Sequence, residues 1–189
     1  MKERIILGID PGSIHMGFGI LQETMGGQSM RLITYGVFQL KKHKEHMLRM
    51  RCIYTELSSL LQKHAPDAMA IETVFYGTNV QAMLKLGRAQ GVAIAAALAC
   101  EIPVIEYAPR KIKQAITGQG AASKEQVAAM VAHLLNLTDP IASLDASDAL
   151  AVAICHSQQQ KASANKITSW SQFVKTQPHR IIESKTRLL

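Results

Sequence analysis

A chain of 189 residues, 48% of them hydrophobic, can form one domain with a buried core, or one domain with an appendage. Its formal charge of +7 favours a polyanionic partner, nucleic acid before an acidic membrane surface, although a basic protein without such a partner remains an alternative. The longest uncharged apolar stretch, residues 89–100, is shorter than the ~20 residues that span a bilayer, and an Asp-Pro pair interrupts the apolar N-terminal run. The composition therefore predicts a soluble, cytoplasmic protein.

The first forty residues predict three β-strands. The segment RIILGID, residues 4–10, is almost continuously apolar, as expected of a strand that is covered on both faces. The Asp-Pro-Gly-Ser run that follows predicts a turn, because Pro presets φ and Gly accepts positive φ. Residues 15–23 and 31–40 have strand character and are separated by a Gly-Gly pair, so the three segments predict an antiparallel meander.

From residue 45 onward, predicted helices alternate with short strands. Pro66 ends the first helix, and Ser123 with Gln126 forms a capping box that opens a later one. The predicted helices span 45–64, 79–99, 110–117, 123–135 and 143–156, and the predicted strands span 68–72 and 102–107. The fold class is therefore α/β: a mixed five-stranded sheet flanked by helices, with the element order βββαβαβ followed by C-terminal helices.

The composition changes after His156. Residues 158–189 are polar and basic, with one acidic residue, Glu183, among several Lys and Arg. Such a segment buries too little apolar surface to form a core of its own. We therefore predict a domain over residues 1–157 and a basic, flexible C-terminal tail over residues 158–189.

Two acidic residues stand at the ends of predicted strands. Asp10 closes the first strand, and Glu72 closes the strand AMAIE. Functional sites of α/β proteins gather at the carboxyl ends of strands, so the two acids lie side by side if these strands are parallel neighbours. Each residue alone has a plainer interpretation: Asp10 as a turn residue, and Glu72 as a solvated charge.

Two more acidic residues share one face of the last predicted helix. Asp145 and Asp148 are three residues apart, and apolar residues continue their stripe, so this face should point towards the sheet. Asp145 alone could simply complement the helix dipole, but Asp148 lies beyond the first turn. The helix therefore directs two carboxylates towards Asp10 and Glu72.

Four converging carboxylates predict a divalent metal site. Like charges at close range repel, and burying them is unfavourable unless a cation neutralises them. Two Mg²⁺ ions roughly 4 Å apart would balance the charge and accept the hard oxygen ligands that carboxylates offer. We find no Cys/His cluster with zinc spacing, and His156 is better explained as a packed or solvated residue.

With these residues in place, the chain closely resembles the RuvC family of bacterial Holliday junction resolvases. The resemblance is carried by ILGIDPGS, AIETVFYGTNVQAMLKLGRAQGVAI, PVIEYAPRKIKQAITGQGAASKEQV and DASDALAVAICH, in the family's order and spacing. It implies an RNase H-like fold, a homodimer, and Mg²⁺-dependent cleavage of two opposed strands of a four-way DNA junction, with Mn²⁺ as a substitute metal. It also implies a branch-migration partner of the RuvA and RuvB type and no nucleotide cofactor.

The resemblance also assigns residues. Asp10, Glu72, Asp145 and Asp148 match the family's catalytic, metal-binding acids, and Lys113 and Lys124 match its lysines near the scissile phosphate. Phe75 matches an aromatic that stacks on a junction base. We extend the predicted DNA contacts to the neighbouring residues Tyr76, Arg110 and Lys111. On the residues alone, the lysines could be solvated charges and Phe75 could fold back on the core.

Three other functions compete with this interpretation. An actin-like ATPase or sugar kinase shares the GIDPGS turn, but it needs a second lobe for which 189 residues leave no room. A non-catalytic junction-binding module predicts that one or more of the four acids would be missing. A related RNase H-like nuclease with another nucleic-acid substrate would have the same metal site, and the sequence excludes it least well.

Overall fold

A computed structural model describes residues 3–24, 29–74 and 79–164. The strands are β1 (Arg4–Asp10), β2 (His15–Glu23), β3 (Met30–Gln39), β4 (Ala68–Glu72) and β5 (Val104–Tyr107). The helices are α1 (His46–His64), α2 (Val80–Ala99), α3 (Pro109–Thr117), α4 (Lys124–Leu134) and α5 (Leu144–Ala164), with a 3-10 turn at Leu40–Lys42. This order matches the predicted one.

The five strands form one mixed sheet in the order β3-β2-β1-β4-β5. β1, β2 and β3 pair antiparallel, which confirms the meander. β4 pairs parallel with β1 on one side and with β5 on the other, and Ile9 of β1 lies opposite Ile71 of β4. The first and fourth strands are therefore parallel neighbours, and their carboxyl ends lie side by side.

Both faces of the sheet are covered, as the apolar run of β1 predicts. Leu7 and Ile9 pack into a core with α1 and α2, whereas Ile6 packs into a second core with α3, α4 and α5. Alternation along β1 therefore places Gly8 and Asp10 on the α5 face. The same alternation in β4 places Ala70 in the α5 core and Glu72 on that same face.

Helix α5 lies directly on the backbone of the sheet. A methyl group added at Gly8 would lie 2.0 Å from the carbonyl oxygen of Ala149, and one added at Gly17 would lie 1.9 Å from that of Asp145. Only residues without a Cβ permit this approach of helix to strand. The two strand glycines therefore set how close α5 comes to the sheet.

Helix α5 continues beyond His156, where we expected it to end, to Ala164. No Pro or Gly stands between His156 and Ala164, and the SQQQKASA segment contains good helix formers, so nothing in the sequence terminates the helix at His156. The predicted domain boundary after Ser157 thus falls inside α5. Residues 165–189, the rest of the predicted tail, lie outside the described residues.

The outer face of α2 carries an exposed apolar stripe, which we call the α2 stripe. It consists of Val80, Leu84, Gly87, Gly91, Ala95 and Leu98. Leu84 and Leu98 are 53% and 58% exposed, and a Cβ added at Gly87 or Gly91 would meet open space. By length and composition α2 alone, among the described residues, could span a membrane, a criterion that apolar helices of soluble proteins also meet.

Candidate active site

The structure brings the predicted acids to the carboxyl ends of the two central strands. Asp10 is the last residue of β1, and Glu72 is the last residue of β4. Both lie on the sheet face that α5 covers, and α5 presents Asp148 to them. Together these three carboxyl groups line one pocket of about 70 Å³, whose other lining residues are Pro109, Ile112, Lys113, Lys124 and Val127.

Asp145 lies beside this pocket rather than in its lining. Its side chain is 38% exposed, and its Oδ2 lies 3.8 Å from Nδ1 of His15 at the start of β2. Its negative charge nevertheless contributes to raising the pKa of Asp10. All four predicted acids therefore belong to one electrostatic cluster, with Asp145 on its solvent side.

Burial and neighbouring negative charges disfavour ionisation of Asp10 and Glu72. Burial, followed by the charges of Glu72 and Asp148, raises the pKa of Asp10 to about 8. Burial, followed by the charge of Asp148, raises the pKa of Glu72 to about 7. A cation at this place would reverse both effects, since it stabilises the charged carboxylates.

Lys124 supplies one such positive charge from the first turn of α4. The Ser123–Gln126 capping box, confirmed in the structure, fixes the start of the helix and therefore the position of Lys124. Its Nζ donates a 2.5 Å hydrogen bond to Oδ2 of Asp148. Burial alone would lower the pKa of Lys124, but this bond and the nearby carboxylates raise it overall, so the lysine stays charged.

Lys113 reaches the same pocket from α3, and its Nζ donates a 2.7 Å hydrogen bond to the carbonyl oxygen of Ala122. That bond ties α3 to the loop before α4. Lys113 therefore links two elements and also places a positive charge at the pocket. It is not a freely solvated surface lysine.

The donor chemistry of the pocket fits Mg²⁺, because its acidic groups offer only hard oxygen ligands. In the described part of the chain, no three acidic, histidine or cysteine side chains converge closely enough to make a ready-made metal cluster. Uncompensated carboxylates repel one another, and Lys124 already engages Asp148. The observation that favours a cation is the raised pKa of Asp10 and Glu72, which burial and like charge produce together.

Two other predicted DNA contacts, Arg110 and Lys111, are absent from the lining of the pocket that holds Asp10, Glu72 and Asp148. Arg110 and Lys111 are exposed at the start of α3, where Nζ of Lys111 lies 5.2 Å from the centre of the Tyr107 ring. Their exposure leaves them free to meet a phosphate. Phe75 and Tyr76 lie outside the described residues.

His156 is fully buried, so the structure supports the first of its two interpretations, a packed rather than a solvated residue. The Tyr107 hydroxyl and Nδ1 of His156 are 2.9 Å apart, joining the end of β5 to α5. Burial lowers the pKa of His156 to about 4, so the ring is neutral near pH 7. It is absent from the lining of the pocket that holds Asp10, Glu72 and Asp148.

Sequence reasoning missed two residues beside the acids, His15 and Gln90. His15 contacts Asp145, and Nε2 of Gln90 donates a 3.2 Å hydrogen bond to the backbone carbonyl of Glu72. The antiparallel pairing of β1 with β2 brings His15 back towards Asp10, which a hairpin argument could have found. No local pattern marks Gln90, because it meets Glu72 only through the tertiary packing of α2 on the sheet.

Comparisons with known proteins show the family of the chain. The model of the family "Crossover junction endodeoxyribonuclease RuvC" matches residues 6–156. Crossover junction endodeoxyribonucleases RuvC from Cytophaga hutchinsonii and Porphyromonas gingivalis are each 48% identical to this chain, over 95% of it and over 88% and 98% of their own lengths. The solved Thermus thermophilus RuvC in complex with Holliday junction substrate is 31% identical, with a TM-score of 0.79 over 85% of this chain and 96% of that chain.

A more distant structure, the yeast mitochondrial Holliday junction resolvase Ydc2, is 15% identical with a TM-score of 0.61 and shows the shared fold alone. The RNase H-like architecture expected from the sequence is thereby confirmed. The match spans nearly the whole described sheet, all its covering helices and the segments that carry the four acids. The chain belongs to the RuvC family of crossover junction endodeoxyribonucleases.

Proposed function

We propose that this protein is a structure-selective endonuclease that resolves four-way (Holliday) DNA junctions during recombination and repair. It does so by paired, symmetric, metal-dependent hydrolysis of phosphodiesters in two opposed strands. The observation that carries the proposal is the cluster of Asp10, Glu72, Asp145 and Asp148 at the carboxyl ends of two internal strands, in a chain of the RuvC family. Metal dependence is typical of that family.

The four acids are the proposed ligands of two Mg²⁺ ions, with Mn²⁺ as a substitute. Bound Mg²⁺ would supply an activated water and stabilise the charge that develops on the leaving oxygen. Asp10 and Glu72 would hold the metal as carboxylates and would therefore have to release the protons that their raised pKa values favour without it. Lys124 keeps its proton and offers its charge to the scissile phosphate, while its bond orients Asp148.

Lys113, Arg110 and Lys111 are the proposed backbone contacts, because their charges lie on α3 at or beside the acid pocket. Phosphate contacts of this kind fix the register of DNA without reading its sequence. Phe75 and Tyr76 remain proposed base-stacking residues on the strength of the family resemblance. A stacked base is worth ~1–3 kcal/mol, enough to favour a junction whose bases are unpaired.

We propose that the α2 stripe forms a two-fold homodimer interface. Its two exposed leucines would bury apolar surface, and Gly87 and Gly91 leave open space into which a partner helix can move. A two-fold dimer presents two identical acid clusters to the two equivalent strands of a junction. This arrangement accounts for cuts that come in symmetric pairs.

The proposal includes a cytoplasmic location, a partner complex of the RuvA and RuvB type that moves the branch point, and a basic C-terminal segment over residues 158–189, the first seven residues of which continue α5. The family resemblance supports the partner, and the charge of +7 supports a polyanionic substrate. The second candidate function, an RNase H-like nuclease acting on another nucleic acid, is distinguished by substrate choice.

The decisive experiment offers three labelled substrates to the wild type and to Asp10→Asn: a four-way junction, a plain duplex and an RNA–DNA hybrid. We expect paired symmetric nicks in the junction alone, with cutting lost and junction binding retained in the variant. Equal cutting of the duplex or the hybrid would contradict junction resolution and favour the second candidate.

The dimer has its own test in Leu84→Lys, which places a charge in the α2 stripe. Sedimentation should show a shift from dimer to monomer, and the remaining junction cuts should lose their pairing. Tyr35→Lys, an exposed apolar residue of the edge strand β3, is the matched control and should stay dimeric. Two variants with the same oligomeric state would rule out the stripe as the interface.

A further inference from the structure

Gln90 connects α2 to the strand end that carries Glu72. Its neighbour Ala89 is fully buried, so this turn of α2 lies against the sheet. The Gln90 side-chain amide donates a 3.2 Å hydrogen bond to the Glu72 carbonyl oxygen and a 3.0 Å bond to Oε2 of Glu106 on β5. One Nε2 group thereby contacts the backbone of one strand and the side chain of the next.

Strand β5 also holds the strand end that Gln90 contacts, and one of its contacts is a 3.4 Å bond from the Thr73 hydroxyl to the Tyr107 carbonyl oxygen. Glu72 is the last residue of β4 and pairs with Tyr107 of β5. After it, the amide of Thr73 donates a 2.9 Å bond to the Tyr107 carbonyl oxygen. Backbone at the end of a ladder frays unless side chains satisfy its polar groups, and Gln90 supplies such a bond from outside the sheet.

Resting on the proposed function, we propose that Gln90 is a positioning residue: it holds the backbone of Glu72 so that the carboxylate faces the metal-binding pocket. It touches neither substrate nor reacting atoms, and it acts through Glu72. Groups that orient a metal ligand typically change affinity or activity by about 10–100-fold when they are removed, because small displacements of a ligand are amplified in the reaction.

Both acceptors require a donor at position 90, and this requirement decides the variants. Gln90→Met keeps the length and shape of the side chain but removes its N–H groups. Gln90→Arg restores donors that serve a carbonyl and a carboxylate together. Gln62→Met is the control: Gln62 is an exposed α1 residue in a cleft at the opposite end of β4, beside Asp67.

The test measures four quantities on the full-length protein: junction affinity without metal, turnover against Mg²⁺ concentration, Mg²⁺ binding by calorimetry without DNA, and hydrogen exchange of the Thr73 amide. In Gln90→Met we expect about tenfold lower turnover, about tenfold weaker Mg²⁺ binding and faster Thr73 exchange, at an unchanged junction affinity. Gln90→Arg should recover most of the turnover, and Gln62→Met should match the wild type.

Unchanged Mg²⁺ binding and Thr73 exchange in Gln90→Met would overturn the proposal. So would an equal loss in Gln90→Met and Gln90→Arg accompanied by a lower melting temperature, since that result describes a packing role. The two proposals fail separately. A wild type that never cuts junctions contradicts the proposed function, whereas the calorimetry and exchange results still report whether Gln90 positions Glu72.

Discussion

The four acids come in two pairs that the protein treats differently. Asp10 and Glu72 end neighbouring strands, and burial is the main cause of their raised pKa values. Asp145 and Asp148 project from α5, and each has a basic side chain close by, His15 or Lys124. The strand pair thus lacks direct basic partners among the described residues, while the helix pair already has them.

This difference suggests a division of work between the pairs. An acid that is buried without a cation stands to gain most from binding one, because the metal removes both the repulsion and the unfavourable burial of charge. An acid that already contacts a lysine gains less. We therefore expect the strand pair to dominate metal affinity and the helix pair to adjust it.

Substituting one acid from each pair gives the largest expected effect. Asp10→Asn should reduce junction cleavage by at least about a hundredfold, because a ligand and its charge are lost at the most buried position. Asp145→Asn, at the solvent side of the cluster, should reduce it less. Rates at saturating Mg²⁺, measured with junction binding as the control, decide the order. A larger loss in Asp145→Asn would break the comparison.

Moving the two pairs apart should give the second largest effect, a loss of folding stability. Gly8→Ala places a methyl group 2.0 Å from the Ala149 carbonyl oxygen, so α5 must shift away from the sheet. Overpacking of this kind typically destabilises by about 1–3 kcal/mol or more, measurable by urea unfolding. Ser59→Ala, at an exposed position of α1 outside the α2 stripe, is the control for folding. Equal stability of the two variants would show that α5 adapts freely.

Lys124 tests the helix pair. Lys124→Met removes the charge beside Asp148 while keeping much of the side chain's length, and we expect turnover to fall by about tenfold. Lys124→Arg should retain part of the activity. Binding of the whole junction should change little, because many other basic residues contribute to it. Unaltered turnover in Lys124→Met would reduce Lys124 to a surface charge.

The smallest effect concerns pH and stability. The pKa is about 8 for Asp10 and about 7 for Glu72 in the folded protein, above their ordinary values of 3.8 and 4.5. Between these limits the folded protein keeps protons that the unfolded chain has released. The metal-free protein should therefore lose stability as the pH rises from about 5 to about 8, and Mg²⁺ should raise the melting temperature more at the higher pH. Each kcal/mol corresponds to about 2–4 °C for a chain of this size.

Asp10→Asn provides the check on this pH dependence, since it removes the group with the most raised pKa. Its metal-free melting temperature should vary less with pH than that of the wild type. If both proteins give the same pH profile, other groups cause the dependence, and the strand pair is not the buried charge that Mg²⁺ relieves.

Much of this fold was predictable because the local sequence signals for strands and helices mark elements that the tertiary structure contains. The apolar run of β1, the strand AMAIE and the Ser123 capping box each mark an element that the structure contains. The convergence of Asp10, Glu72 and Asp148 also followed from periodicity and from the rule about strand ends. Periodicity determines the face of a strand or helix on which a residue lies. Placing the strand acids and the helix acids on faces that meet was sufficient to predict that they converge.

Other features needed the three-dimensional structure. The end of α5 was misjudged because no helix-breaking residue stands near His156 and composition alone suggested a tail. Gln90 and His15 reach the acids across tertiary contacts that have no sequence period. The strand glycines carried a signal that could have been used, since a glycine inside a strand often marks the close approach of another backbone.

The glycine contacts under α5 set the approach of the helix to the sheet through main-chain atoms. At Gly8 and Gly17 the helix backbone lies against the strand backbone, so main-chain contact limits the distance between α5 and the sheet. Exchanging one aliphatic core residue for another can alter stability while leaving that dimension unchanged. A single methyl group at either glycine would change the distance between α5 and the sheet. Two residues without side chains therefore control the geometry of the site.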